Sequence, residues 1–146
     1  MRKFALRARK PRAGIHLVID TNVLVSGLLK PDGPPGRILD NVVRGIIVPV
    51  YSPAILTEYQ AVLVRRKFNF DPQNVVALLE LIVSEGLLIS RARRLEFHFR
   101  DVGDRPFYEC AAAAGCSLVT GNSRDFPTKG PVEIISPAQA MGALCK

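Results

Sequence analysis

Ile15-His-Leu-Val-Ile19 is a short apolar run that follows Gly14 and stops at an acid, Asp20. A run of this kind suits a strand covered on both faces, as in a parallel sheet, better than the half-solvated strand of an antiparallel one. Similar runs recur at Ile46-Ile-Val-Pro-Val50, Leu87-Leu-Ile-Ser90, Ser117-Leu-Val-Thr120 and Val132-Glu-Ile-Ile-Ser136. Helical stretches separate them. Asn22 to Leu29 and Arg37 to Arg44 read as short helices, the second closed by Gly45, with the loop Lys30-Pro-Asp-Gly-Pro-Pro-Gly36 between them. Ser52-Pro53 and Asp71-Pro72 are helix starts, each a capping side chain followed by a proline in the first turn. The first of these helices is expected to reach about Lys67 and the second to end near Gly86, while a small-residue helix runs from about Pro106 to Ala114 and ends at Gly115. Strands alternating with helices predict an α/β sandwich around a mostly parallel five-stranded sheet. Pro49 predicts that its end of the second strand is not fully laddered.

The 146 residues suit one domain, expected to span 14–146, preceded by a loosely ordered basic arm over 1–13. With 48% hydrophobic and 23% charged residues, the composition is globular. No apolar run approaches the ~20 residues of a membrane span, and the N-terminus has basic residues but no apolar core of a secretory signal. The cytoplasm is the expected location. Cys110, Cys116 and Cys145 lack the paired spacing of a zinc site and read as thiols in a reducing compartment.

The formal net charge of +7 favours a polyanionic partner. Cations cluster before Gly14, at Arg65-Arg66-Lys67, and along the linker carrying Arg91, Arg93, Arg94 and Arg100. Each cluster taken alone also suits an ordinary solvated face.

In an open parallel sheet, ligands collect beyond the carboxyl ends of the strands, where strand order reverses. Acids stand at just such places. Asp20 ends the first strand, Glu58 lies in the second turn of the helix after the second, and Asp104 precedes the small-residue helix; Asn122 and Asp125 follow the fourth strand. Singly, Asp20 and Asp104 could be helix caps and Glu58 an exposed helix residue. Together they form a carboxylate cluster that repels itself unless a hard cation neutralises it. Phosphodiester cleavage gives such a cluster a purpose, because a carboxylate-held Mg²⁺ or Mn²⁺ acidifies a bound water and offsets charge on the phosphate. His16, inside a strand, and His98, in the Arg-rich linker, form no rival centre.

Four segments in order resemble the motifs of PIN domains: Val18-Ile-Asp-Thr-Asn-Val-Leu-Val-Ser-Gly-Leu28, Ser52-Pro-Ala-Ile-Leu-Thr-Glu58, Asp101-Val-Gly-Asp-Arg-Pro-Phe-Tyr-Glu-Cys-Ala111 and Leu118-Val-Thr-Gly-Asn-Ser-Arg-Asp-Phe-Pro127. Within that family the chain looks closest to the VapC-like toxins of bacterial and archaeal toxin–antitoxin pairs. The resemblance implies a PIN-like three-layer sandwich with sheet order 3-2-1-4-5. It also implies a Mg²⁺- or Mn²⁺-dependent endoribonuclease for single-stranded RNA, with Asp20, Glu58 and Asp104 as metal ligands. Thr21 and Asn22 would orient the first acid, while Asp101, Thr120 and Asp125 would support the site. Asn122 stands where many PIN domains carry an acid; its amide would position water or a weakly held second ion. Arg65, Arg66, Arg105 and Arg124 would grip phosphates, with Arg65 on the same helical stripe as Glu58. RNA, an antitoxin and a second copy of the chain are the implied partners. Two other readings stay open on sequence alone: a PIN-like RNA-binding or processing protein with weak or no cleavage, and a small-molecule or response-regulator-like α/β domain. The basic charge and the lack of a Gly-rich phosphate loop after the first strand weigh against the last.

Overall fold

The computed structural model describes residues 13–144. Five strands, β1 (Ile15–Ile19), β2 (Ile47–Tyr51), β3 (Leu87–Leu88), β4 (Ser117–Val119) and β5 (Ile134–Ile135), form one sheet in the order β3-β2-β1-β4-β5. Every pairing is parallel. Successive residues of a strand point to opposite faces, yet all five residues of β2 are buried, so both faces of the sheet are covered and the architecture has three layers. The expected α/β class and strand order are those observed. The arm proposed before Gly14 falls, apart from Ala13, outside the described residues, as does Cys145.

Six helices surround the sheet: α1 (Thr21–Leu29), α2 (Pro34–Val43), α3 (Pro53–Leu63), α4 (Pro72–Glu85), α5 (Arg105–Ala114) and α6 (Pro137–Leu144). Helix α5 packs across β1, β2 and β4, while α2 and α4 both pack on β2. The start signals act as read. The Ser52 hydroxyl accepts from the Ile55 N–H and the Asp71 carboxylate from the Gln73 N–H, each with proline next in line. Gly115 ends α5 at φ +67°, in the left-handed region a glycine adopts without steric penalty.

Several boundaries differ from the sequence reading. Helix α2 begins at Pro34, inside the segment read as loop, because Pro34 and Pro35 occupy first-turn positions where a missing N–H is harmless. Helix α3 stops at Leu63 rather than Lys67. Residues 64–71 then turn, with the Phe68 N–H bonded to the Arg65 carbonyl and Asn69 at φ 51° reversing the chain toward α4. Strand β3 holds only two exposed leucines, and its ladder to β2 begins at Val50, just past Pro49. Helix α6 was not anticipated, although Ser136 and Gln139 bond each other's backbone N–H in a capping box that is readable from sequence.

One buried hydrogen bond joins the core to the rim. Tyr59, 1% exposed, donates its hydroxyl to the Ile19 carbonyl at 2.5 Å, and its ring meets Phe107 of α5 at 6.2 Å between centroids. Helix α3 is thereby fixed against the last residue of β1, between Asp20 and Glu58. Tyr59→Phe keeps the ring and removes the bond, so it should lower stability in urea denaturation by about 1–2 kcal/mol with an unchanged m-value. Stability equal to that of the parent would show that the bond does not tie these elements together.

Candidate active site

The strand order reverses at β1, whose neighbours are β2 and β4, and the cleft expected at such a point lies at the carboxyl ends of β1 and β4. Asp20 is the first residue beyond β1, and its N–H bonds the Val119 carbonyl at 2.9 Å. It stands in the N-cap position of α1, but its side chain caps nothing there. Its carboxylate instead accepts from the Thr120 hydroxyl at 2.7 Å and from the Asn22 amide at 3.2 Å. Asn22 also accepts the Gly121 N–H at 3.1 Å, and Thr120 accepts the Asn122 N–H at 3.0 Å. Asp20, at 6% exposure, is thus held by a polar network drawn from both central strand ends. Asn22 and Thr120, named from the sequence as supporting residues, both donate to the Asp20 carboxylate.

Thr21 serves two acids: its backbone bonds the Asp20 carboxylate, as its place beside that acid suggests. Its hydroxyl donates to the Glu58 carboxylate, so α1 positions the acid of α3 as well as its own. Gly103 lies alongside: a methyl group added there would come within 3.5 Å of the Glu58 carboxylate. Asp104 follows in the 3₁₀ turn Val102–Asp104; it precedes α5 without capping it. Asp101, in contrast, is a cap, accepting the Gly103 N–H at 2.8 Å.

The charges around Asp104 act on one another. Burial first, then the negative fields of Asp20, Asp101, Asp125 and Glu58, raise its pKa from 3.8 to about 7. Asp20 is also raised, chiefly by burial, against the lowering effect of the Thr120 and Thr21 hydrogen bonds, with Glu58 and Asp125 adding to the rise. Asp125 bears on both groups because the 3₁₀ turn Ser123–Asp125 folds it back toward the rim. The exposed Asn122 engages the network through its backbone N–H. Two residues near the site carry no signal as such in the sequence: Tyr59, an aromatic on the helix that bears Glu58, and Gly103.

A family model described as PIN domain matches residues 16–124. The chain belongs to the PIN domain family. It is 32% identical over 111 residues to the uncharacterized protein MJ1680 of Methanocaldococcus jannaschii, covering 74% of this chain and 71% of that one. Among solved structures, the crystal structure of VapBC2 from Rickettsia felis bound to a DNA fragment from their promoter matches with a TM-score of 0.57. That match covers 84% of this chain and 98% of the other at 17% identity, and at that level it is the fold that is shared. PIN domains are nucleases, so a phosphodiester hydrolase is the coarse assignment for this one.

As a donor set for a divalent cation, this PIN domain offers hard carboxylate oxygens sharing one negative field. Among the described residues no three His, Cys, Asp or Glu side chains come together as a ready-made metal cage. Mg²⁺ does not need one, since it keeps several waters and is held through one or two carboxylates. The residues therefore fit a hydrated hard cation, whereas zinc prefers nitrogen and sulfur ligands. The described thiols take no part: burial raises Cys110 to about 12 and Cys116 to about 11, and both are unpaired cysteines.

The basic residues divide. Arg65, Arg66 and Arg124 are exposed, but because α3 ends at Leu63, Arg65 stands on a turn and not on the helical stripe of Glu58. Arg105 faces inward. Its guanidinium donates to the Leu95 and Phe97 carbonyls at 2.7 and 3.0 Å, pairs with Glu109 at 3.2 Å and covers the Phe99 ring. It buttresses the preceding loop, which is a poor position for gripping phosphate. No helix among the described residues is long and apolar enough to cross a membrane.

The raised pKa of Asp104 has a consequence for stability. Without metal, the folded protein keeps a proton on this group up to about pH 7 that the unfolded chain releases near 3.8. The contribution is full below the lower value and is lost as pH rises through the upper one. In chelator, the unfolding free energy should therefore fall between about pH 4 and pH 8, by on the order of 1 kcal/mol after solvent screening, and the melting temperature should fall with it. Asp104→Asn should flatten that decline; an identical pH profile in the variant would show that the residue carries no such shift.

Proposed function

We propose that this PIN domain is a Mg²⁺- or Mn²⁺-dependent endoribonuclease acting on single-stranded RNA, and that it serves as the toxin of a toxin–antitoxin pair. The observation that carries the reading is the setting of Asp104, where burial and then the negative fields of Asp20, Asp101, Asp125 and Glu58 disfavour its ionised form, a penalty that a bound cation would relieve. Asp20, Glu58 and Asp104 are the proposed ligands, and the Thr21 hydroxyl donates to the Glu58 carboxylate. A divalent ion bound there would acidify a water and offset charge building on the scissile phosphate. Thr120 and Asn22 hold the Asp20 carboxylate in one orientation, which fixes the direction of its free lone pairs. Asp125 is the acid best disposed to supply the charge that Asn122 lacks.

The exposed Arg65, Arg66 and Arg124 supply positive charge for a phosphate backbone. An antitoxin partner is supported by the fold shared with VapBC2. A surface for a second protein chain is available on α4, where Val75, Leu78, Leu81 and Ile82 are buried but Val76 and Val83 remain about half exposed. The reading extends to a homodimer and to a cytoplasmic location.

Asp20→Asn and Asp104→Asn should each reduce cleavage of a single-stranded RNA by about a hundredfold or more, with the fold retained by thermal melt, and chelation should abolish the parent's activity. Full activity in either variant removes that residue from the site. Binding of RNA by the parent without cleavage in either metal would instead favour an RNA-binding or processing role.

Asn122→Asp tests the missing charge. A carboxylate at that position should lower the Mg²⁺ concentration for half-maximal cleavage by about tenfold, whereas Asp125→Asn should raise it. An unchanged midpoint with a lower maximal rate in Asn122→Asp would mean that the amide positions water or phosphate through its N–H.

A further inference from the structure

The turn between α3 and α4 is built unlike a simple connection. Arg65, Arg66 and Lys67 are exposed, and they lead directly into Phe68-Asn-Phe70. The two phenyl rings stack with centroids 5.4 Å apart and planes 13° from parallel. Asn69, at φ 51°, turns the backbone between the two rings. The rings have different roles. Phe70 packs against the hydrophobic core, and among the described residues Phe68 is not part of that packing. Phe68 therefore rests on Phe70, and the Lys67 ammonium sits over its ring 5.1 Å from the centroid.

We propose that Phe68 is a stacking platform for an unpaired base of a single-stranded nucleic acid, with Arg65, Arg66 and Lys67 holding the adjoining phosphates. This deepens the ribonuclease reading and rests on it. A flat aromatic face with cations beside it is the recognition element of sequence-tolerant single-strand binding, because every base offers a π face and every nucleotide a phosphate. The Lys67 ammonium is a mobile cover: it can leave the ring for a phosphate as a base arrives, exchanging a cation–π contact for an ion pair. Phe70 gives the platform its rigidity, since a ring already stacked on an anchored neighbour loses little freedom when a base adds to the pile.

The position along the chain supports a role in the same reaction. Glu58 and the turn belong to one helix and its end: from Glu58 to Leu63 the chain climbs roughly 7–8 Å, and the bonds from Arg65 to Val62 and from Phe68 to Arg65 keep the turn beyond it compact. A strand cut at the carboxylates could reach Phe68 within a few nucleotides. Duplexes are excluded on the same grounds, because their bases are already stacked on one another.

The chain contains no tryptophan, so Phe68→Trp in the full-length protein places a single fluorophore at the platform. The probes are a labelled oligouridine of about ten nucleotides, the same length of oligothymidine, and the oligouridine annealed to its complement. Binding followed by anisotropy should weaken about tenfold in Phe68→Leu and be restored in Phe68→Trp. Emission of the introduced indole should be quenched over the same concentration range by either single strand and left unchanged by the duplex. Equal quenching by the two single strands supports a platform that does not read the sugar; quenching by oligouridine alone supports one whose access depends on it. Thermal melts of the variants exclude a merely structural loss. Suppose an oligonucleotide saturates Phe68→Trp but leaves its indole unquenched, or binds Phe68→Leu as tightly as the parent. Either outcome overturns the platform and leaves the ribonuclease reading standing. Failure of the parent to bind any single strand overturns both.

Discussion

A carboxylate buried to 6% exposure at the end of a central strand is unfavourable unless its oxygens are satisfied, and Asp20 meets that requirement by reaching across the sheet to Thr120. The bond joins residues a hundred positions apart, and it forms only if β1 and β4 lie side by side in the register that pairs Ile19 with Val119. Asn22 depends on the same register, since its amide bridges Asp20 and Gly121. A slip of one residue would turn Thr120 to the opposite face and leave the acid without its partner. The geometry of the rim is thus inseparable from the pairing of the two innermost strands.

Around that fixed point the chain gathers like charges, which opposes folding. Glu58, Asp104 and Asp125 all act on Asp20 or on one another. The opposing effects are local and specific: Tyr59 locks α3 to the Ile19 carbonyl, and Thr21 gives Glu58 a donor. The hydrophobic core beneath, with Val18, Leu24, Ile38, Ile55 and Leu118 fully buried, supplies the general stability that such a rim consumes. A site of this kind is strained electrostatically and not in its backbone: among the described residues, Asn69 alone of the non-glycines has a positive φ, and it lies outside the rim. A cation would find groups already oriented.

Much of this was legible in the sequence, and the legible part follows from strong local signals. Apolar runs ending at Asp20 and Thr120, and Ser52-Pro53 and Asp71-Pro72 as capped starts, are read residue by residue, and the sheet order came with the motifs that these runs carry. What escaped depends on distant partners. Thr21 looks like a companion of its neighbour Asp20, and only the packing of α1 against α3 turns its hydroxyl to Glu58. Arg105 looks like one more surface cation, and only the fold of the preceding loop supplies the carbonyls that draw it inward. The early end of α3 was missed because Arg65 and Lys67 are good helix formers, while the reversal at Asn69 and the stacking of Phe68 on Phe70 override their preference. Asp125 reads as one more supporting acid after the fourth strand, and its action on both Asp20 and Asp104 shows only in the folded chain.

The inward guanidinium of Arg105 also changes what counts as loop. The Leu95 N–H bonds Glu109 at 2.6 Å while the Leu95 and Phe97 carbonyls accept from Arg105, and Phe97 and Phe99 set their rings edge-on against Tyr108. Residues 95–99 are therefore a splint along α5 and not part of the tether that precedes them. Drift in length is tolerable upstream of Leu95, where the chain is largely exposed. Downstream, a single inserted residue would shift the frame that delivers Asp104 to the rim. The division between free and anchored backbone in this linker falls at Leu95, in the middle of what a sequence shows as one continuous run.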